Sequence, residues 1–252
     1  MILQKPTWSG VTAAIKGLSD EERLAIQEHP GRFKAAVAEL ARWVRENTFF
    51  IWLNDREAIT KREELGLERP KEVVQAYRAL TIREGGSGPA ALLVKAGCTL
   101  KRHIPQIGLC YKGWSFLQEL NLKNDAPTQA TLVHVVPRVP MKSFGQDVNG
   151  QQELLASLRQ EFSLPAHHFS TFAPAVTGAG ILLSHARLTG DKGAILRKQK
   201  NYVRTDTLHC NGWRLLLSYY GDMLACEEWG DCDDLCDEDV GCFALGVETL
   251  GA

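Results

Sequence analysis

The chain has 252 residues, 44% hydrophobic and 23% charged, which is enough to bury a proper core as one large domain or two ordinary ones and excludes a disordered or fibrous protein. The net charge of −1 conceals an asymmetry: residues 215–252 hold ten of the 30 acidic residues and none of the 29 basic ones, which leaves residues 1–214 at +9. No segment approaches the roughly 20 apolar residues of a membrane helix, the N-terminal stretch lacks the basic flank and apolar run of an export signal, and seven cysteines is an odd number; a cytoplasmic protein with reduced thiols and no membrane partner is expected.

In chain order, "LSDEERLAIQEH" sets Ser19 three residues before Glu22, the spacing of a capping box at a helix start. "GRFKAAVAELARWVREN" places Phe33, Val37, Leu40 and Val44 on one helical face. "RPKEVVQAYRAL" reads as a third helix with Pro70 in its first turn. Residues 10–80 are thus expected to be mostly helical. After the glycine-rich "REGGSGPAA", the β-branched "ATLVHVVPRVP" is the best strand of the middle region. "GQQELLASLRQEF" is a short amphipathic helix, and "STFAPAVTGAGILLSHARLTGD" a longer, nearly apolar one whose Ala173, Ala175, Gly178, Ala179 and Gly180 admit a closely packed neighbour. Short strands follow at "NYVRTDTLH", "WRLLLSYY" and "GCFALGVE". The reading is an α+β protein, a helical N-terminal part over residues 1–125 and a compact domain over 126–252, with the boundary falling somewhere between 125 and 165.

The C-terminal stretch concentrates unusual chemistry. Between Glu227 and Asp239 lie eight carboxylates, and Cys226, Cys232, Cys236 and Cys242 are spaced C-x5-C-x3-C-x5-C. Structural zinc sites use closer pairs, so that two thiolates on one turn reach one ion; free thiols are expected, and no metal or cofactor. An EF-hand register begun at Asp231 would put Leu235 and Cys236 where an oxygen ligand and the glycine belong, so a solvated acidic loop is the default, with a looser calcium site as the alternative. His167 and His168 have no Cys or Glu at helical ligand spacing, and His185 sits in an apolar helix as a hydrogen-bonded core residue. No G-x-S-x-G, H-E-x-x-H, P-loop or G-x-G-x-x-G occurs. The bases of "REAITKREELGLERPKE" alternate with acids as on a solvated helix face, which argues against nucleic acid as a partner.

The order of the last third, an apolar helix, "YVRTDT", "GWRLLLSYY", a polar and aromatic loop and a closing "DVGCFALGVE", resembles the C-type-lectin-like fold of the formylglycine-generating-enzyme group and of the variable proteins of diversity-generating retroelements. In that family a strand of R-x-L-R-G-G type leads into a loop-rich surface and the final strand opens with a V-G-F-R-like motif. "WRLLLSYY" matches the first loosely, and Val240-Gly241-Cys242-Phe243 matches the second with one extra residue after the glycine. The resemblance covers residues 165–252.

Such retroelements randomise template adenines, so that AAC and AAT codons yield Tyr, Asp, Ser, Cys, Gly and Asn. Ser218, Tyr219, Tyr220, Asp222, Cys226, Asp231, Cys232, Asp233, Asp234, Cys236 and Asp237 are reachable in this way, whereas Glu227, Glu228, Trp229 and Glu238 would be fixed. The resemblance therefore implies a non-enzymatic ligand-binding protein whose variable surface near 218–239, made of these eleven residues with Trp229, binds a protein ligand. Tyr and Trp give contact area at low entropic cost, and the acids favour a cationic partner. Two alternatives stay open. One is a copper-dependent oxidase of the formylglycine-generating type, for which Cys236 and Cys242 are the nearest reactive pair, at wider spacing than that family uses and among acids that raise a thiol's pKa. The other is an undiversified acidic interaction domain. On either binding reading Val203, Leu215, Leu217, Phe243 and Leu245 should be buried, with Trp213 as a further frame residue, and Tyr219, Tyr220, Asp222, Trp229, Asp231 and Asp233 should be exposed on one face.

Overall fold

The computed structural model describes residues 19–31, 48–108, 110, 129–191, 193–198, 201–209, 212–228 and 236–249. The chain forms two compact units, residues 1–48 and 49–252. In the first, helix α1 spans Asp20–Glu28, as the capping-box spacing predicts. The helix expected over 31–47 lies outside the described residues beyond Gly31.

The second unit is α+β and contains two four-stranded sheets. Sheet 1 has the order β1 (Phe50–Leu53), β2 (Ala91–Val94), β3 (Thr131–Val135) and β8 (Leu245–Thr249), antiparallel throughout. Sheet 2 has the order β6 (Met223–Glu228), β5 (Arg214–Tyr220), β4 (Tyr202–Leu208) and β7 (Val240–Cys242), with β4 and β7 parallel. Sheet 1 therefore draws two strands from before residue 125 and two from after it. The expected domain boundary near 125 is replaced by a single unit beginning at Phe49, because β1 and β2 complete the sheet that β3 and β8 share. Within the stretch 10–80 expected to be mostly helical, β1 is a strand that the reading did not place, a short apolar run.

Helix α2 (Asp55–Glu64) begins at a full capping box: the Asn54 side chain accepts from the Glu57 amide at 2.9 Å, and the Glu57 carboxylate accepts from the Asn54 amide at 3.0 Å. Helix α3 (Pro70–Arg83) opens on proline, whose missing N–H costs nothing in a first turn. It buries Val73, Val74, Tyr77, Leu80 and Thr81, the spacing of one helical face. A one-turn helix, α4 (Ile104–Ile107), precedes β3. Helices α5 (Val148–Glu161) and α6 (Ala175–Thr189) then follow β3 where the sequence placed them, and a one-turn α7 (Gly193–Leu196) leads to β4.

Helix α6 lies between the two sheets, which explains why it is apolar all round. A Cβ on Gly180 would overlap the Phe50 ring of β1, and one on Gly178 would come 2.9 Å from Leu217 Cδ1 of β5. Residues two apart point to nearly opposite sides of a helix, so each glycine admits one sheet. The Trp52 indole of β1 donates to Ser184 Oγ of α6 at 2.7 Å, and His185 is fully buried with Nε2 3.0 Å from the Ser87 carbonyl, the core role expected of it.

The single strand expected at "GCFALGVE" is two. β7 runs beside β4 in sheet 2, and after Phe243 and Ala244 the chain enters sheet 1 as β8, with the Val136 amide donating to the Ala244 carbonyl at 2.9 Å. This crossing ties the sheets together through the fully buried Phe243. Among the described residues, no helix is long and apolar enough to cross a membrane.

Candidate functional site

The expected binding surface is divided by strand geometry. Side chains alternate across a strand, so Tyr219 shares a face with Leu215 and Leu217, the face that meets α6. Tyr219 is accordingly buried and not displayed, a correction to its expected exposure. Burial pushes its phenol upward in pKa, and its hydroxyl has no hydrogen-bond partner among the described residues. Cys226 pairs in register with Leu217 and is buried on that side. Ser218 points the other way but is also buried, donating to the Asn201 carbonyl at 2.9 Å. Ser218 and Tyr219 belong to the frame because β5 is an inner strand, hydrogen-bonded on both edges, and Cys226 of the edge strand β6 joins them through its buried pairing with Leu217.

Tyr220, 61% exposed, and Asp222 stand at the β5–β6 turn, Cys236 is exposed, and Asp237 is half-buried, its carboxylate accepting from the Asp239 amide at 2.7 Å. Trp229, Asp231, Cys232, Asp233 and Asp234 lie outside the described residues. Val203, Leu215, Leu217, Phe243 and Leu245 are buried as expected. Trp213 is not: at 43% exposure it stands ahead of β5, where its carbonyl accepts from the His209 amide in the β4–β5 turn. Cys242 is wholly buried on β7, and burial pushes its thiol up to about 12, far from the thiolate that metal or redox chemistry needs.

A second constellation, assembled from five segments distant in sequence, lies against sheet 1. Glu248 of β8 is at its centre. Its Oε1 accepts from Arg62 Nη1 of α2 at 2.7 Å and from His168 Nε2 at 2.8 Å; its Oε2 lies 2.8 Å from His167 Nε2. Arg62 Nη1 also lies 3.1 Å from His134 Nε2 on β3, and Nη2 donates to the Glu68 carbonyl at 3.0 Å. The Tyr77 hydroxyl of α3 is 3.1 Å from His168 Nδ1. Arg62, Tyr77, His134, His168 and Glu248 are all buried, whereas the His167 side chain is 52% exposed.

Gly246 makes this arrangement possible. It stands directly across from His134 in the β3–β8 register and two residues before Glu248, on the same face. A Cβ there would collide with the His168 ring and come 2.6 Å from the Tyr77 hydroxyl. The missing side chain is the space into which the imidazole fits beside the carboxylate.

The charge states follow from the surroundings. Burial alone would raise the Glu248 pKa, but hydrogen bonds from His168, Arg62 and His167 reverse this and hold the carboxyl well below the usual range. Burial lowers His168 despite its bond to Glu248, and burial with the charge of Arg62 takes His134 down to about 3. A neutral His168 that donates from Nε2 to Glu248 must accept at Nδ1, so Tyr77 is the donor there. Burial, then the Glu248 charge, raises the Tyr77 phenol well above its ordinary value and keeps that proton in place. The chain Tyr77 to His168 to Glu248 thus fixes one imidazole rigidly, and His167 closes the cluster on the solvent side. His167, His168 and Glu248 offer three ligand atoms within 4.8 Å of one another.

No family model, curated protein or solved structure matches the chain.

Proposed function

We propose that the C-terminal part of the unit, from β3 onward, is a C-type-lectin-like domain that binds a protein ligand without catalysis, through a surface made by the β5–β6 turn and the acidic segment after β6. The supporting observation is the pairing of β3 with β8, in register from Thr131↔Thr249 to Val135↔Leu245. It makes the first and last strands of this part neighbours, enclosing helices α5, α6 and α7, the β4–β5–β6 meander and β7, and so supports reading this part as one closed domain. The acid-rich segment leaves β6 at Glu228, which pairs with the buried Leu215, and re-enters the sheet at the buried Val240, so paired strands hold both its ends.

Within this reading the displayed set is Tyr220, Asp222, Cys236 and Asp237 together with Trp229, Asp231, Cys232, Asp233 and Asp234, while Ser218, Tyr219 and Cys226 are frame. Diversification by a retroelement would vary the first group apart from Trp229, whose codon adenine randomisation does not yield, and spare the second. Sequencing the genomic neighbourhood tests it. The expected result is a reverse transcriptase gene beside a near-copy of the DNA encoding this stretch, differing at adenine positions that fall in the codons of displayed residues. Absence of that near-copy would remove diversification and leave an invariant acidic interaction surface. Varied codons concentrated at Ser218, Tyr219 and Cys226 would overturn the division into frame and display.

A further inference from the structure

We infer that His167, His168 and Glu248 form a binding site for one divalent cation of the zinc class, built where the buried cluster reaches solvent. Two imidazoles and one carboxylate on one side of an ion, with remaining positions open to water, suit Zn2+ and its neighbours in nitrogen affinity. Three atoms within 4.8 Å of one another have a common point no more than about 2.8 Å from each, so a cation at ~2.1 Å requires each to move by less than about 1 Å.

The side chains around these three serve the positions beyond the ligands themselves. A histidine that binds metal through Nε2 carries its proton on Nδ1, and something must receive that proton. For His168 the Tyr77 hydroxyl stands at Nδ1, 3.1 Å away, and a hydroxyl can accept as well as donate. Binding would therefore exchange the two roles along this bond while His168 remains neutral and its proton moves from Nε2 to Nδ1. Arg62 occupies Glu248 Oε1 at 2.7 Å and leaves Oε2, the oxygen nearer His167, for the ion. Its positive charge opposes the cation and favours a single carboxylate oxygen as ligand over a bidentate one. The half-exposed His167 provides the path by which an ion enters without opening the core.

The same contacts describe a purely structural knot joining α2, α3, β3 and β8, and the two readings part at His167. In the knot it is a rim residue making one hydrogen bond; in the metal site it is a third of the ligand set. The experiment is titration of the full, reduced chain with Zn2+ alone, by calorimetry and by metal analysis after dialysis, alongside the same titration of His167→Ala and Glu248→Gln. The cysteines give a background that His167→Ala leaves intact. The expected result is one saturable zinc per chain above that background, weakened at least ten-fold in His167→Ala, with a zinc-dependent rise in melting temperature that the variant loses. The Co2+ absorption that His167→Ala loses, taken as the wild-type spectrum minus the variant's, should carry no thiolate charge-transfer bands. Zinc uptake that is unchanged in His167→Ala, or no saturable binding in the wild type, would overturn the site. Because His167 is on the rim, that variant folds and the test stands even where Glu248→Gln fails to fold.

Discussion

Against sheet 1, Arg62, His134, His168 and Glu248 meet inside the protein and bond to one another around the carboxylate; along β5 and β6 of sheet 2, the buried face is nearly apolar and the polar residues Tyr220 and Asp222 are carried to the turn. The difference shows where each region can tolerate change. A buried carboxylate bound to a guanidinium and two imidazoles is held by its partners, and removing it leaves a charge with nowhere to go. A turn residue facing solvent has little to lose. Glu248→Ala should therefore be the most damaging single substitution in either region, costing roughly 3–5 kcal/mol because Arg62 is left buried without its counter-ion. Urea unfolding measures it; a cost below about 1 kcal/mol would mean that water reaches Arg62 readily and that the cluster is not a dry interior.

The apolar counterpart is the crossing between the sheets. Phe243→Ala removes a wholly buried ring between β7 and β8 and should cost about 3 kcal/mol or more, while Trp213→Ala, at a half-exposed position, should cost less than about 1 kcal/mol. Thermal melts of the two variants side by side would show whether the exposed tryptophan contributes to the frame after all.

How far the sequence foretold this contrast depends on the range of the signals. Helices α3, α5 and α6 and strands β3, β4 and β5 are legible because each carries its own periodicity or β-branched run within ten or so residues. β1 and β2 are not, because "FIWL" and "ALLV" are four-residue apolar runs that acquire meaning only from their partners in the sheet. The ionic cluster is invisible to local spacing for the same reason: His167 and His168 find their carboxylate 80 residues away, and Arg62 belongs to a helix whose neighbours are almost all polar. Two signals were present nonetheless. His134 interrupts the apolar "TLVHVV", and Glu248 is a lone acid in the apolar "ALGVETL". A charge in such a run must find a partner once buried. On the expected surface, adjacent residues of β5 are not equivalent, since the period of two groups Tyr219 with Leu217 and not with Tyr220.

Sheet 2 carries a partly buried acid, and pH separates it from the cluster. Asp206 of β4 is partly buried, and this burial raises its carboxyl to about 6 against the opposing charge of Arg214. Oδ1 has no hydrogen-bond partner among the described residues. A raised acid binds its proton more tightly in the folded state, so stability falls as pH climbs from about 4 through about 6 and stays reduced above. Two pKa units would correspond to nearly 3 kcal/mol, and the solvent that still reaches Asp206 reduces this to about 1–2 kcal/mol. Asp206→Asn should be more stable than the wild type by that amount at pH 8 and equal to it at pH 4. Equal stability at both values would show that Asp206 is solvated when folded.

The smallest effect is expected at the proposed display surface, and its smallness is the informative part. Replacing Tyr220, Asp222 and Cys236 together by Ser alters three exposed side chains and no strand hydrogen bond, since backbone pairing between β5 and β6 does not depend on which side chains project. Each change should cost within about 0.5 kcal/mol, and removing Asp222 from an acid-rich neighbourhood relieves some repulsion, which offsets part of the sum. Tyr219→Ser is the control one residue away. It empties space against α6 and should cost about 3 kcal/mol, more than the triple variant even though only one side chain changes. Paired thermal melts decide between the two expectations. A triple variant as damaged as Tyr219→Ser would mean that the turn is part of the frame, and the surface proposed for ligand binding would then have to lie elsewhere.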